Sequence, residues 1–278
     1  MSKILFSDLD GTLLCDDKTI SETNRQAIQK MLDAGHYFVI CTGRAIESGR
    51  NVATDLGLNQ PGCFMICYNG AIVYDLSADK IIDEHSIPVE DVFKLFDCAK
   101  KAGIHVQTYQ GNDIIALEHT RDLDLYAEKS GMSYSIKNDI VSALSKEPRK
   151  VLLADFDNTG KLEQFRDDNE EWTNQHMNSF FSCKEYLEYC PKNITKGSGI
   201  KVLCNFLNIP LKDSVAVGDE RNDIPMLLTA GCGIAMANAY DDVLVIADSV
   251  TENDNNNDAI AEVIENYIFN DVKIGANA

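Results

Sequence analysis

Lys3-Ile4-Leu5-Phe6-Ser7-Asp8-Leu9-Asp10-Gly11-Thr12-Leu13-Leu14 is the stretch whose reading decides the fold. An apolar run of strand length ends in two acids spaced i, i+2, then a glycine and a threonine. If the strand continues through the pair, both carboxylates face the same side. Gly11 then permits a sharp exit. A buried strand that delivers polar groups at its carboxyl end is how open α/β sheets build sites. Two neighbouring carboxylates suit chemistry in which one attacks as nucleophile and the other moves protons. Taken alone, the stretch also reads as a strand running into an Asp-rich turn, so the later motifs decide.

Those motifs repeat the design. Ser21 reads as a helix N-cap, with Ala27, Ile28, Met31 and Leu32 at helical spacing and Gly35 as the stop. Tyr37 to Cys41 is a second buried strand without alternation, as a parallel sheet covered on both faces requires. It ends in Thr42-Gly43-Arg44 before a helix predicted over 45–56, and a hydroxyl, a glycine and backbone N–H groups at a helix start make an anion site. Phe64 to Tyr68, Asn69-Gly70 and Ala71 to Tyr74 read as a hairpin with a two-residue turn, in which Asn69 is also a candidate ligand. Farther on, Thr195 caps a helix with Lys196 in its first turn. The helix dipole disfavours a cation there, and a bound anion would compensate. Ser214 to Gly218 is a buried strand that opens into Asp219-Glu220-Arg221-Asn222-Asp223, again acids at a carboxyl end. A strand at 231–236 and a helix at 260–268 close the chain, with a polar loop at 253–257.

Between these motifs the texture changes. Helices are predicted at 88–102, 120–130 and 158–170, and strands at 104–109, 113–117, 149–155 and 185–190. This more polar stretch can close its own α+β layer, and it reads as an insertion. The expected organisation is an α/β core over 1–83 and 191–278 with an inserted domain over 84–190. Inside the insertion, Val151-Leu152-Leu153-Ala154-Asp155-Phe156-Asp157-Asn158 imitates the opening motif. Nothing after it repeats the other motifs at matching intervals, and Asp157-Asn158 reads as a helix N-cap, so it is taken as a decoy.

Composition bounds the partners. The formal charge is −19, from 44 acids against 25 bases, which argues against a nucleic-acid or anionic-membrane partner. The nine cysteines are odd in number and include no CxxC, as expected for reduced thiols in a cytoplasmic protein. The chain opens directly on a strand, without a signal-peptide pattern, and no apolar run is long enough to span a bilayer.

In order, DLDGTLL, TGR, Lys196 before a helix and GDERNDIPML resemble the four motifs of the haloacid dehalogenase superfamily of phosphohydrolases. The long insertion resembles the C2 cap of the Cof-type subfamily, as do Asn69-Gly70 and the tail from Ala237-Asn238-Ala239 to Asp258-Ala259-Ile260. Departures are Asn257-Asp258, where relatives usually read Asp-Gly, and Glu220-Arg221, where glycine is frequent. The resemblance implies a Rossmann-like parallel sheet with helices on both faces, plus an inserted α+β cap that sets specificity. It also implies a Mg²⁺-dependent phosphatase acting on a small phosphomonoester, with a sugar phosphate as the expected class.

By that resemblance Asp8 attacks phosphorus and forms an aspartyl-phosphate, while Asp10 protonates the leaving oxygen and then activates water. Thr42 and Lys196 hold phosphoryl oxygens, with Gly43, Arg44, Asn69 and Asn222 on the substrate. Asp219 ligates Mg²⁺ with Asp8 and the carbonyl of Asp10, supported by Asn222 and Asp223. Elementary electrostatics reaches the same need for cations, because two like charges about 4 Å apart cost roughly 4 kcal/mol at an effective dielectric of 20. Cap candidates for reading the leaving group are Tyr109, His119 and Tyr186. A phosphotransferase such as a hexose-phosphate mutase, or a non-catalytic sugar-phosphate sensor, could carry the same motifs. The oligomeric state is not readable.

Overall fold

The computed structural model describes residues 2–270, so the parts of the expected core at residue 1 and at 271–278 lie outside the described residues. The chain forms two compact units, one of Met1–Glu84 with Thr195–Ala278 and one of His85–Ile194.

The first unit starts with β1 (Ile4–Asp8), α1 (Glu22–Asp33), β2 (Tyr37–Cys41), α2 (Ile46–Asp55), β3 (Cys63–Cys67), β4 (Ile72–Asp75) and β5 (Lys80–Glu84). The second unit is α3 (Val89–Ala102), β6 (His105–Gln110), β7 (Asp113–Ala116), α4 (Arg121–Ser130), β8 (Ser133–Ile136), α5 (Ile140–Ala143), β9 (Val151–Ala154), α6 (Thr159–His176), β10 (Met177–Cys183) and β11 (Tyr186–Pro191). The first unit resumes with α7 (Lys196–Leu207), β12 (Ser214–Gly218), α8 (Ile224–Leu227), β13 (Cys232–Ala235), α9 (Asp241–Ile246), β14 (Ser249–Val250) and α10 (Ala259–Val263). No helix among the described residues is long and apolar enough to cross a membrane.

The first unit's sheet has the order β14-β13-β12-β1-β2-β3-β4-β5. It is parallel from β14 to β3 and antiparallel beyond. All five residues of β1 are buried, which explains why the run lacks alternation. Ile4, Phe6, Val39, Cys41 and Ile66 pack with Ile200 and Leu203 of α7 and Met226 of α8. Leu5, Ile40 and Met65 alternate to the opposite face, where α1 and α2 contact β2 and β3. The chain leaves β1 toward β2 on one side and returns to β12 on the other. That reversal is the topological switch point, and it brings three carboxyl strand ends together.

The second unit carries a sheet of order β10-β11-β9-β6-β7-β8, antiparallel except for β7–β8. Val151 and Leu153 of β9 pack toward α3 and α6, whereas Leu152 and Ala154 pack toward α4. The decoy motif lies here. Asp155 Oδ1 accepts from the backbone N–H groups of Asp157 (3.1 Å) and Asn158 (2.7 Å), so Asp155 caps the turn into α6. Asn158, read as the cap, holds the N-cap position without a side-chain bond. Helix α6 runs to His176, past its expected end, and β5, β8, β10 and β14 were not anticipated. All four are polar or half-exposed, and their patterns carry little hydrophobic signal.

The hairpin also needs correction. Cys67 pairs with Ile72, so the β3–β4 loop has four residues rather than two. Tyr68, Asn69 and Gly70 all take positive φ. Gly70 at φ +110 presses on the start of α7, where an added Cβ would meet Thr195 O at 2.1 Å. Gly70→Ala is therefore expected to cost about 2–4 kcal/mol, combining backbone strain with overpacking, in denaturant unfolding. A cost under about 0.5 kcal/mol would show that the loop can be rebuilt freely.

Candidate active site

Asp8 ends β1 opposite Cys41, so Thr42 follows on the neighbouring strand end, and Asp219 follows β12 on the other side. Between them enters Lys196, at the first turn of α7. Thr195 caps that helix by accepting from Ser198 N, and Ser198 Oγ accepts from Thr195 N (2.9 Å). The helix start is thus fixed, and Lys196 is fully buried. Its Nζ lies 2.5 Å from Asp8 Oδ1 and 2.5 Å from Asp223 Oδ1. The anion that offsets its unfavourable place in the helix dipole is therefore supplied by the protein itself.

Asp223 is fully engaged. Its Oδ1 accepts from Lys196 and its Oδ2 from the backbone N–H groups of Asp219 (3.1 Å) and Glu220 (3.0 Å). Asp219 Oδ1 accepts from Thr12 Oγ1 at 2.6 Å. Gly11, at φ +79, makes room for Asp219, since an added Cβ would lie 2.5 Å from Asp219 Oδ2. Oxygens of Asp8, Asp219 and Asp223 all lie within 4.8 Å of one another.

Crowding marks these groups. Burial pushes the Asp8 carboxyl well up; the Lys196 charge opposes the shift, and Asp223 and Asp219 add to it. Burial also raises Asp219, to about 7, against the Thr12 hydrogen bond and with the Asp223 charge. Burial works against the Lys196 ammonium, but Asp223 and Asp8 together hold it well above the usual lysine range. The donors facing this cluster are hard oxygens, which suit a divalent cation such as Mg²⁺. Asp8 and Asp219 fit as its carboxylate ligands. Asp223, with both oxygens occupied, fits as a support of Lys196.

Asp10 stands apart. Arg44 grips it with a fork, Nε to Oδ2 at 2.8 Å and Nη2 to Oδ1 at 2.6 Å, and Lys18 Nζ reaches Oδ1 at 3.0 Å. Burial raises this carboxyl, but the hydrogen bonds and charges of Arg44 and Lys18 outweigh it and leave Asp10 below the usual range.

Thr42 is buried, and its Oγ1 accepts from Arg44 N (3.1 Å). Asn69 N donates to Thr42 O (3.1 Å), and Asn69 Oδ1 accepts from Asn222 Nδ2 (3.1 Å). Gly43 packs on the Asn69 amide, where a Cβ would lie 3.1 Å from Nδ2. Asn222 Oδ1 is buried without a hydrogen-bond partner among the described residues, a spare acceptor beside the carboxylates. The residues singled out in the core are thus linked by contact into two groups, one around Lys196 and one around Arg44 and Asn69. Thr12 and Lys18 were missed; Thr12 stands inside the DGT motif, whereas nothing in the sequence marks Lys18.

The cap candidates are all engaged within the second unit. Tyr109 OH donates to Tyr126 OH (2.7 Å), His119 pairs with Asp124 (3.0 Å), and Tyr186 packs edge-on against Tyr126 and Phe156.

Comparison with known proteins agrees with this fold. A model of the haloacid dehalogenase-like hydrolase family matches residues 5–264. The 5-amino-6-(5-phospho-D-ribitylamino)uracil phosphatase of Bacillus subtilis is 29% identical over 262 residues, covering 94% of this chain and 95% of that one. The pyridoxal phosphate phosphatase of Escherichia coli is 25% identical over 277 residues, covering 96% and 99%. A crystal structure of a haloacid dehalogenase-like hydrolase from Bacteroides thetaiotaomicron matches with a TM-score of 0.86 at 29% identity, covering 97% of this chain and all of that one. With four motifs in order, a matching fold and a family model spanning nearly its whole length, the chain belongs to the Cof-type branch of the haloacid dehalogenase-like hydrolases.

Proposed function

We propose that this phosphatase hydrolyses a small phosphomonoester, with a sugar phosphate as the leading class, through an aspartyl-phosphate on Asp8. The observation that carries the reading is the buried Lys196 between Asp8 and Asp223, with Asp219 alongside. Relatives named for a phosphoribityl compound and for pyridoxal phosphate support a small phosphorylated substrate.

Asp8 is the nucleophile, and Lys196 orients it and offsets charge on the phosphoryl oxygens. Thr42 and the N–H groups that follow it receive those oxygens at the start of α2. Asp10 protonates the leaving oxygen and later takes a proton from the attacking water. Asp8, Asp219 and the Asp10 carbonyl are the groups that would hold Mg²⁺, with Asn222 beside them. When bound, Mg²⁺ supplies positive charge against the transferring phosphoryl group. The inserted unit takes the role of the cap that selects the leaving group. Asp155 and Asp157 have no part in the chemistry, because capping and the Arg121 ion pair account for them.

Phosphate release from a panel of hexose, pentose, nucleotide, pyridoxal and p-nitrophenyl phosphates should require Mg²⁺ and stop with EDTA. Transfer to an acceptor sugar without release would instead make the protein a phosphotransferase. Asp8→Asn should lower kcat by at least about 10³-fold. The fold should stay intact at a lowered melting temperature, since Asp223 still pairs with the buried Lys196. Activity within tenfold of wild type would sink the assignment, and loss of activity in Asp155→Asn would restore the decoy as a site.

Asp219 adds a pH test. Its carboxyl rises from the ordinary 3.8 to about 7, so the folded metal-free protein holds a proton that the unfolded chain has released. The stability this proton confers is full below pH 3.8 and is lost as pH rises to about 7. Melting of the metal-free protein, with other titrations matched in Asp219→Asn, should show that loss in the wild type alone. Mg²⁺ should stabilise the wild type more at pH 8 than at pH 5. Equal stabilisation at both would count against Asp219 as a ligand.

A further inference from the structure

We propose that Lys18 is a positioning residue for Asp10 and, with Arg44, selects the carboxylate oxygen that moves the proton. The proposal rests on the reading of Asp10 as acid and base. The three cationic contacts on this carboxylate are unequal. Oδ1 takes two, from Arg44 Nη2 (2.6 Å) and Lys18 Nζ (3.0 Å), whereas Oδ2 takes only Arg44 Nε (2.8 Å). Opening that one contact frees Oδ2 while two cations still hold Oδ1. The geometry therefore assigns proton transfer to Oδ2.

Lys18 is exposed along its side chain, yet its placement is built. Its backbone is left-handed at φ 66. Lys18 N donates to Cys15 O (2.9 Å) and Cys15 N to Thr19 O (2.8 Å), closing a tight turn. Asp17 Oδ1 accepts from Thr19 N (3.0 Å) and Thr19 Oγ1 (2.6 Å). The polar loop near the carboxyl end of the core then pins the turn. Buried Asn255 donates to Leu14 O (3.0 Å) and Asp16 Oδ1 (3.1 Å), and Asp16 N donates to Asn256 Oδ1 (3.0 Å). An exposed ion pair is worth little to stability. A turn closed this firmly around one lysine is better explained by what that lysine holds.

In the first half-reaction an Asp8 oxygen bonds to phosphorus, and the bond from phosphorus to the leaving oxygen breaks with its electron pair. The leaving oxygen takes the proton from Asp10 Oδ2. In the second half-reaction Oδ2 takes a proton from water as the water oxygen bonds to phosphorus. The bond from phosphorus to Asp8 breaks, which restores the carboxylate and frees phosphate.

An alkoxide needs that first proton, whereas p-nitrophenolate leaves without it. The test is alcohol release in a single turnover by wild type, Lys18→Ala, Lys18→Arg and Asp10→Asn. Each would be run on the best alkyl phosphate and on p-nitrophenyl phosphate, with melting temperatures in parallel. Lys18→Ala should lose about tenfold or more on the alkyl ester and less than about threefold on the aryl ester, at an unchanged melting temperature. Lys18→Arg should recover most of the loss. Equal losses on both esters, or none on either, would overturn the role of Lys18 and leave the phosphatase reading standing. If Asp10→Asn lost equally on both esters, the premise about Asp10 would fail, and the proposal with it.

Discussion

The core depends on one buried ammonium. Lys196 is fully enclosed, and desolvation on that scale costs several kcal/mol for a single ion. It is held only because two carboxylates, Asp8 and Asp223, approach it to 2.5 Å. Each arrives from a different part of the chain. Asp8 comes from the end of β1, Asp223 from the turn after β12, and Lys196 from the capped start of α7. Moving any of these by one residue would leave a buried charge without its partner, at roughly 3–5 kcal/mol. The pairing of β12 with β1 is therefore tied to the electrostatics of the site as much as to the apolar packing beneath it.

That arrangement leaves an excess of negative charge. Asp8, Asp219 and Asp223 stand within 4.8 Å of one another with one lysine among them. Asp223 is quenched by Lys196 and two N–H groups, so the excess falls on Asp8 and Asp219. A phosphate dianion adds more of the same sign. Like charges at such distances cost a few kcal/mol each at the dielectric of a protein surface. A divalent cation held by these two carboxylates would offset that cost.

The parts of this site that lie on regular strands were legible in the sequence. Asp8, Thr42 and Asp219 each follow an apolar run, and a parallel sheet forces such run-ends to one edge. Lys196 was legible as an anomaly, a cation at a capped helix start, although its partner was misjudged because the nearest anions are distant in sequence. What could not be read was the work of loops. The turn that carries Lys18 toward Asp10 is braced by Asn255 and Asn256, which bond to Leu14 and Asp16 across about 240 positions. The Asn69-Gly70 turn has favoured hairpin chemistry, but α7 packs so closely on Gly70 that the backbone follows the helix instead. The strands that were missed, β5, β8, β10 and β14, are all edge elements whose burial comes from neighbours rather than from a pattern of their own.

The two acids of the opening motif end up in opposed environments. Burial and carboxylate neighbours raise Asp8, while Arg44 and Lys18 depress Asp10. Environments that push paired groups apart are how an enzyme divides roles between like residues, and here two carboxylates separated only by Leu9 meet different surroundings. A cation beside Asp8 and Asp219 lowers both carboxyls. Arg44, whose guanidinium holds Asp10, also bonds through its backbone to the Thr42 hydroxyl, so the second acid is tied to the end of the neighbouring strand while the first is tied to Lys196.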